Sequence, residues 1–322
     1  MSERLTLQVI KPGLQSSVQD LGRPGWRHLG LGSAGAMDPV ALQLANALLG
    51  QDLTLPALEI CGGPLLLRFE QDCVFALAGA DYEGRLDHLH CPVGWPHAAK
   101  AGQCLLLQGP RAGRFAYLAL PGGIAAQARM GSCSTDLAGG FGGTHGRALR
   151  SGDVLQAAST AAALAPGRRR GLPAVTAPQR LDLRVLPGPE AALFHPDAMA
   201  DFWRADWRLG VRSNRMGSQL DGPPLRGSDR PDTLGELLSH AVLPGVVQVP
   251  PDGRPIVLMA DAQATGGYPR IAVLIEADLP RLAQCTPGQR LRFLPVDETQ
   301  ARAARMQARG ELRWQCQTLQ GR

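Results

Sequence analysis

Four clusters of polar residues and glycine in this 322-residue chain carry side chains that could bind a ligand or move a proton. In Gln19-Asp20-Leu21-Gly22-Arg23-Pro24-Gly25 a carboxylate and a guanidinium flank a turn. Arg23 could offer a planar fork to a ligand carboxylate or phosphate with Asp20 orienting it, or the two could form a local ion pair that fixes the loop. In Ser33-Ala34-Gly35-Ala36-Met37-Asp38-Pro39 a loop with glycine leads into a helix start, where backbone N–H groups can meet an anion. Asp38 is equally well placed as an ordinary N-cap. Ser213-Asn214-Arg215-Met216-Gly217, followed by Leu220-Asp221-Gly222, sets an amide beside a guanidinium; the pair could act as donor and anion clamp, or Asn214 could simply hold a turn.

The fourth cluster is the block from Gln248 to Arg270. Pro251-Asp252-Gly253 reads as a turn between two apolar strands. Beyond the second strand, Asp261, Gln263, Thr265 and Tyr268 crowd around Gly266-Gly267, where backbone can approach a ligand closely, and a strand-end binding loop is expected. Other groupings carry less. His88-Leu89-His90-Cys91 with His97 lacks a fixed fourth ligand, so no metal site is expected. The stretch Gly139-Gly140-Phe141-Gly142-Gly143-Thr144-His145-Gly146 does not satisfy G-x-G-x-x-G, and no βαβ unit surrounds it. Gly131-Ser132-Cys133-Ser134-Thr135-Asp136 has no identifiable base for its Ser or Cys and reads as a turn. Neither a nucleophile elbow nor a phosphate loop is present.

The elements that must position these clusters are short strands cut by turns. Gly and Pro account for 65 residues, distributed as punctuation between apolar runs, which argues against disorder and long helical bundles. Strands are expected at Leu5 to Ile10, Pro64 to Phe69, Cys73 to Leu77, Cys104 to Leu107, Phe115 to Leu120, Leu181 to Leu186, Val246 to Val249, Ile256 to Met259, Ile271 to Ile275 and Leu291 to Leu294. A helix is expected from Pro39, with Asp38 as cap, Leu42, Ala45, Leu48 and Leu49 at helical spacing and Gly50 as its stop. Shorter helices are expected at Pro196 to Trp203, capped around Asp197, and at Leu279 to Gln284 after an Asp278 cap, and a surface helix from Glu298 to Arg309. Between Ala158 and Pro178 the composition turns to Ala, Pro, Gly and Arg, the texture of a connector.

The fold class is therefore mainly β with a few short helices (α+β), in two β-rich subdomains. The formal charge of +5 is spread out, with one basic run at Arg168-Arg169-Arg170, so nucleic-acid binding is not expected. Two Lys stand against 31 Arg, which leaves anion recognition to guanidinium groups and backbone N–H. Seven Cys without a C-x-x-C fit buried free thiols in a reducing compartment. With no apolar stretch of bilayer length and no apolar N-terminal core, a soluble, cytoplasmic protein without membrane contact is expected.

In order along the chain, Ser17-Val18-Gln19-Asp20-Leu21-Gly22-Arg23, Gly35-Ala36-Met37-Asp38-Pro39 with Ala45-Asn46, Tyr117-Leu118-Ala119 with Gly122-Gly123-Ile124, Ser213-Asn214-Arg215-Met216-Gly217 and the Gln248 to Arg270 block resemble the 5-oxoprolinase C-subunit (PxpC/KipA) family. That family is also described as the biotin-dependent carboxyltransferase or allophanate hydrolase subunit 2 family. The resemblance runs from about Leu5 to Phe293. It implies a carboxyltransferase-type subdomain A over 1–165, a linker over 166–178, a cyclophilin-like β-barrel subdomain B over 179–296 and a C-terminal helix and tail over 297–322.

What the family does implies a subunit, inactive alone, of an ATP-dependent 5-oxoprolinase that cleaves 5-oxo-L-proline to L-glutamate with KipI-like and LamB/YcsF-like partner subunits. ATP is expected in the assembled complex. The resemblance makes Asp20, Asp38 and Asp261 candidates for proton transfer and Arg23 or Arg215 candidates for holding the substrate carboxylate. Asn46, Asn214, Gln263, Thr265, Gly266, Gly267 and Tyr268 complete the expected substrate-contacting set. Two alternatives are a carboxyltransferase component that moves carboxyl from carboxybiotin to a urea-like amide, the one case in which biotin is implied, and a regulatory protein that binds a KipI-like kinase inhibitor. The chain departs from the family pattern at Ala264, where Thr is usual, at His240-Ala241, where Glu-Gly is usual, and at Gln219, where Arg is common. A lost hydroxyl, carboxylate and guanidinium bear on substrate preference more than on fold.

Overall fold

The computed structural model describes residues 5–159, 171–172, 178–227 and 237–321. Most of the expected connector and the Arg168-Arg169-Arg170 run lie outside the described residues. The chain divides into two compact units, one formed by Met1–Arg23, Ala34–Ala177 and Gly310–Arg322, the other by Pro24–Ser33 and Pro178–Arg309. Both are built mainly from β-strands, as expected.

The first unit holds two antiparallel sheets. A six-stranded sheet runs in the order Val154–Gln156, Thr6–Pro12, Leu65–Phe69, Cys104–Leu107, Arg85–Leu86, Leu89–His90. A five-stranded sheet runs Gln15–Gln19, Ala57–Cys61, Ala112–Ala119, Cys73–Asp81, Trp95–Ala99. Leu7, Val9, Leu65, Leu67, Phe69 and Leu105 of the first sheet and Val18, Leu58, Ile60, Phe75, Leu77 and Leu118 of the second make one buried core. Helix α1 (Pro39–Leu48) is capped by the Asp38 carboxylate, which accepts the Ala41 N–H at 3.0 Å, and has Pro39 in its first turn. It packs on the five-stranded sheet, burying Ala41, Leu42, Ala45, Ala47 and Leu48.

The second unit is a closed seven-stranded barrel in the order Arg180–Pro187, Arg270–Leu274, Val246–Gln248, Ile256–Leu258, Gly217–Asp221, Trp207–Leu209, Arg290–Pro295. Strands that alternate in direction cannot close a ring of odd number, so one neighbouring pair has to run parallel. That pair is Arg180–Pro187 with Arg290–Pro295; the other six are antiparallel. This is the barrel expected of the second subdomain. Helix α2 (Pro196–Arg204) brings Phe202 onto the last strand, its ring stacked on Phe293 at 4.7 Å. A two-stranded ribbon, His240–Ala241 with Thr265–Gly266, stands apart from the barrel strands.

Three local expectations are corrected. The cap of α2 is His195, whose Nδ1 accepts the Asp197 N–H at 3.2 Å, because Asp197 already lies inside the first turn. Asp278 precedes helix α3 (Leu279–Ala283) but makes no side-chain cap; its carboxylate is taken by Arg184 and Arg281. The last helix, α4, does not stop at Arg309 but runs through Gly310 to Gln320. Glu311 to Gln320 are mostly good helix formers, and one interior glycine costs only about 1 kcal/mol against alanine.

Candidate active site

The Asp20 turn closes the strand Gln15–Gln19 of the first unit, and its carboxylate is saturated by the chain itself. Oδ1 accepts the Gly22 N–H at 2.8 Å and the Ser132 hydroxyl at 2.6 Å, along with the Ser134 hydroxyl, while Oδ2 accepts the Cys133 N–H at 2.6 Å. A carboxylate offers about four lone-pair directions, and four donors are gathered here. Arg23 is enclosed beside it. Its guanidinium donates to the Ser134 carbonyl, lies 3.8 Å from the Asp136 carboxylate and sits 4.8 Å above the Phe141 ring, with the side chain fully out of solvent. The glycine-dense stretch explains itself here: a Cβ on Gly142 would stand 2.1 Å from the Ser134 carbonyl oxygen and 3.1 Å from Arg23 Nη2. Only glycine lets that loop lie against the guanidinium.

Gly35 likewise presses on the Asp20 turn, where a Cβ would come within 2.9 Å of the Gly22 Cα, and the Ala36 N–H bonds the Asp20 carbonyl at 2.9 Å. The loop before α1 is tied to the sheet by a buried carboxylate that the sequence does not single out. Glu59 accepts the Met37 N–H and the Tyr117 hydroxyl, each at 2.7 Å, and Tyr117 in turn accepts the Asp38 N–H at 2.8 Å. Burial first, then the negative charges of Glu59 and Asp38, hold the Tyr117 hydroxyl pKa well above its ordinary value, so it stays a donor. One acid inside the apolar run Ala57-Leu58-Glu59-Ile60-Cys61 is the available signal. Asn46, expected among substrate contacts, is fully buried; its amide donates to the Leu53 and Leu55 carbonyls and accepts from Gln51, holding the turn after α1.

In the second unit, Arg215 and Asp261 form a bidentate pair with both bonds at 2.8 Å and side chains 3% and 6% exposed. Backbone bonds run beside it, Asp261 N–H to the Arg215 carbonyl and Met259 N–H to that of Met216. Asn214 makes a turn, its side-chain oxygen accepting the Met216 N–H at 2.8 Å and the Gly217 N–H at 3.3 Å. Gln263 and Thr265 are exposed, and Gly266, Gly267 and Tyr268 are half-buried, around the ribbon. There the Gln263 carboxamide donates to that of buried Gln248, which donates to the Tyr268 carbonyl, both at 3.4 Å.

Sequence reasoning missed three side chains in this unit. Gln248 stands out in the sequence only as the start of its block. Arg27 donates to the Val242 carbonyl at 2.7 Å and to the Ala262 and Gln263 carbonyls, and burial pulls its pKa below the usual arginine value. Arg270 chelates Glu190, whose pKa the guanidinium lowers and which raises that of Arg270 in return. Among the described residues no group of His, Cys, Asp and Glu is arranged to hold a metal ion, and the seven cysteines are free thiols.

A profile of the carboxyltransferase domain, subdomain A and B, matches residues 29–295. The chain belongs to this family. Among carboxyltransferase-domain relatives it is 47% identical to the 5-oxoprolinase C-subunit of Escherichia coli K12, over 93% of this chain and 94% of that one. It is 40% identical to the 5-oxoprolinase C-subunit of Haemophilus influenzae Rd, over 95% of this chain and 96% of the other. The crystal structure of the K. lactis urea amidolyase superposes with a TM-score of 0.87 at 27% identity over 97% of this chain, which spans 20% of that longer protein. The departures from the family pattern fall within the second unit. Ala264 is buried in the turn leading to the ribbon, His240 is in the ribbon itself and Gln219 is on a barrel strand. Among the described residues no helix is long and apolar enough to cross a membrane.

Proposed function

We propose that this chain is the C-type subunit of an ATP-dependent 5-oxoprolinase, acting with KipI-like and LamB/YcsF-like subunits to open 5-oxo-L-proline to L-glutamate. The observation that carries this reading is the 47% identity to the Escherichia coli protein across nearly the full length of both chains. Lactam hydrolysis is hard because the amide nitrogen is a poor leaving group. Phosphoryl transfer from ATP to the lactam oxygen makes the carbon electrophilic; water adds to it, the ring C–N bond breaks as the nitrogen takes a proton, and a second water hydrolyses the resulting acyl phosphate to L-glutamate and phosphate.

Side chains in this reading divide by how much the fold already asks of them. Asp20, Arg23, Arg215 and Asp261 are held by internal bonds and shape loops. Their buried charges act through the geometry they impose, as positioning residues. Substrate contact is assigned to the ribbon side of the second unit: Gln248, Gln263, Thr265, Gly266, Gly267 and Tyr268, with the Asn214 turn supporting it. Asp38 is likewise engaged, as the cap of α1 through the Ala41 N–H, and belongs with the positioning residues.

Co-expression with the two partner subunits, followed by an assay of 5-oxoproline-dependent ATP hydrolysis, tests the proposal; turnover requiring all three chains is expected. The likeness to urea amidolyase favours a second reading, carboxyl transfer from a biotinylated carrier to urea. Turnover of urea with such a carrier, and none of 5-oxoproline, would put that reading first.

A further inference from the structure

His240 lies directly opposite Gly266 in the ribbon of the second unit. Directly opposed residues of an antiparallel pair project to the same face. At Gly266 that face is occupied by carboxamides, since a Cβ there would stand 2.8 Å from Gln248 Nε2 and 3.4 Å from Gln263 Nε2. The imidazole and the two carboxamides therefore share one side of the ribbon.

The proton on the ring is fixed by its neighbour. His240 Nδ1 is 3.2 Å from the Leu238 carbonyl oxygen, which can only accept, so Nδ1 carries the hydrogen. In the neutral ring Nε2 then offers only a lone pair, and that atom is buried and without a hydrogen-bond partner among the described residues. Buried acceptors are rarely left bare, and each such case calls for an explanation. The nearby Glu190 carboxylate can only accept, so it cannot fill that lone pair, and it is engaged by Arg270 through the backbone N–H at 3.0 Å and the guanidinium Nε at 2.7 Å. The two carboxamide contacts, at 3.4 Å each, are at the long edge of hydrogen bonding and yield readily to a better acceptor.

One bare acceptor and two loosely held N–H donors on one face complement a particular chemistry. A ring amide is locked cis, so its N–H and C=O point along the same edge, whereas an open-chain secondary amide is trans and points them apart. We propose that His240 Nε2 accepts the N–H of a lactam while the Gln248 and Gln263 carboxamides donate to its carbonyl oxygen, so that this face of the ribbon selects cis amides. This rests on the 5-oxoprolinase reading above and adds to it the residue that receives the ring nitrogen's hydrogen.

Calorimetric titration of the full chain with 5-oxo-L-proline and with its N-methyl analogue tests the assignment. His240→Phe should weaken binding of 5-oxo-L-proline by about tenfold, the loss of one hydrogen bond to a ligand. The N-methyl compound should bind wild type about as poorly, with His240→Phe making no further difference. Equal binding of the two compounds to wild type, unchanged binding by a folded His240→Phe, or no lactam binding at millimolar concentration would each overturn it. Should the variant fail to fold, the N-methyl comparison on wild type decides alone. The two proposals fail separately: His240-dependent lactam binding without 5-oxoproline turnover in the assembled complex removes the reaction and keeps this site, and turnover indifferent to His240→Phe does the reverse.

Discussion

Arg215 grips Asp261 through two parallel hydrogen bonds, Nε to Oδ2 and Nη2 to Oδ1, in a pocket that excludes water from both side chains. The pair joins the loop after Arg212 to the end of the strand Ile256–Leu258, beside the ribbon assigned to substrate. Removing one partner leaves a buried charge uncompensated, which costs about 3–5 kcal/mol, whereas replacing both with apolar groups of similar volume is often neutral. Asp261→Ala should therefore lower the midpoint of urea unfolding sharply, and the double variant Arg215→Met with Asp261→Leu should recover most of the loss. A stable Asp261→Ala that merely loses turnover would instead make Asp261 a chemical participant.

The Asp20 carboxylate gathers four donors from Gly22, Ser132, Cys133 and Ser134, so it organises the loop that covers Arg23. Hydrogen bonds to a charged group contribute about 1.5–3 kcal/mol each and do not add fully. Asp20→Ala is expected to destabilise the first unit by about 3 kcal/mol, and Ser134→Ala, which removes one donor, by about 1–2 kcal/mol. Denaturant titrations of the two variants and their double check both the size and the shortfall from additivity.

Much of this arrangement is legible in the sequence, and the illegible part has a common cause. The Pro39–Leu48 helix, its Asp38 cap and the Pro251-Asp252-Gly253 turn are local, and local rules find them; the Gly253 N–H bonds the Pro250 carbonyl at 2.9 Å. The partners of Asp20 lie more than a hundred positions away, at Ser132 and Ser134, in a stretch that locally is only a turn. Glu59 and Tyr117, 58 positions apart, are likewise joined only by the fold, in which the register of their strands places them opposite each other. Periodicity also fails at the strand Gln15–Gln19, because Ser16, Ser17 and Gln19 are buried polar residues that break the apolar alternation. Residue types mark these loops as polar; only the pairing shows which charges are already engaged.

Asp153 bears on acid stability. The Arg147 guanidinium, bonded to it at 2.7 and 2.9 Å, together with the Arg150 N–H, brings its pKa from 3.8 to about 2. A carboxylate whose pKa is depressed by folding stabilises the native state above its unfolded pKa, and that stabilisation fades as pH falls through the folded value. The contribution should be complete above about pH 4 to 5 and decline toward pH 2. Asp153→Asn should remove this part of the acid limb while lowering stability at neutral pH. Unfolding midpoints compared at neutral and acid pH check it: the gap between wild type and variant should narrow as the pH drops.

Two glycines in the loop over Arg23 separate backbone conformation from contact. Gly140 and Gly142 have nearly the same φ, +70° and +74°, so alanine at either carries a similar left-handed penalty of about 1 kcal/mol. They differ in surroundings: a Cβ at Gly140 meets nothing within 4 Å, while one at Gly142 would stand 2.1 Å from the Ser134 carbonyl oxygen. The loop cannot move aside without breaking the bond from Arg23 to that same oxygen. Gly142→Ala should therefore cost about 2 kcal/mol or more beyond Gly140→Ala, a value in the range of overpacked cores. It should also open the enclosure of Arg23, seen as faster hydrogen exchange at Cys133 to Thr135, with no such change in Gly140→Ala. Equal stabilities for the two variants would mean that the loop relaxes freely and that the guanidinium is not held by its contact with Gly142.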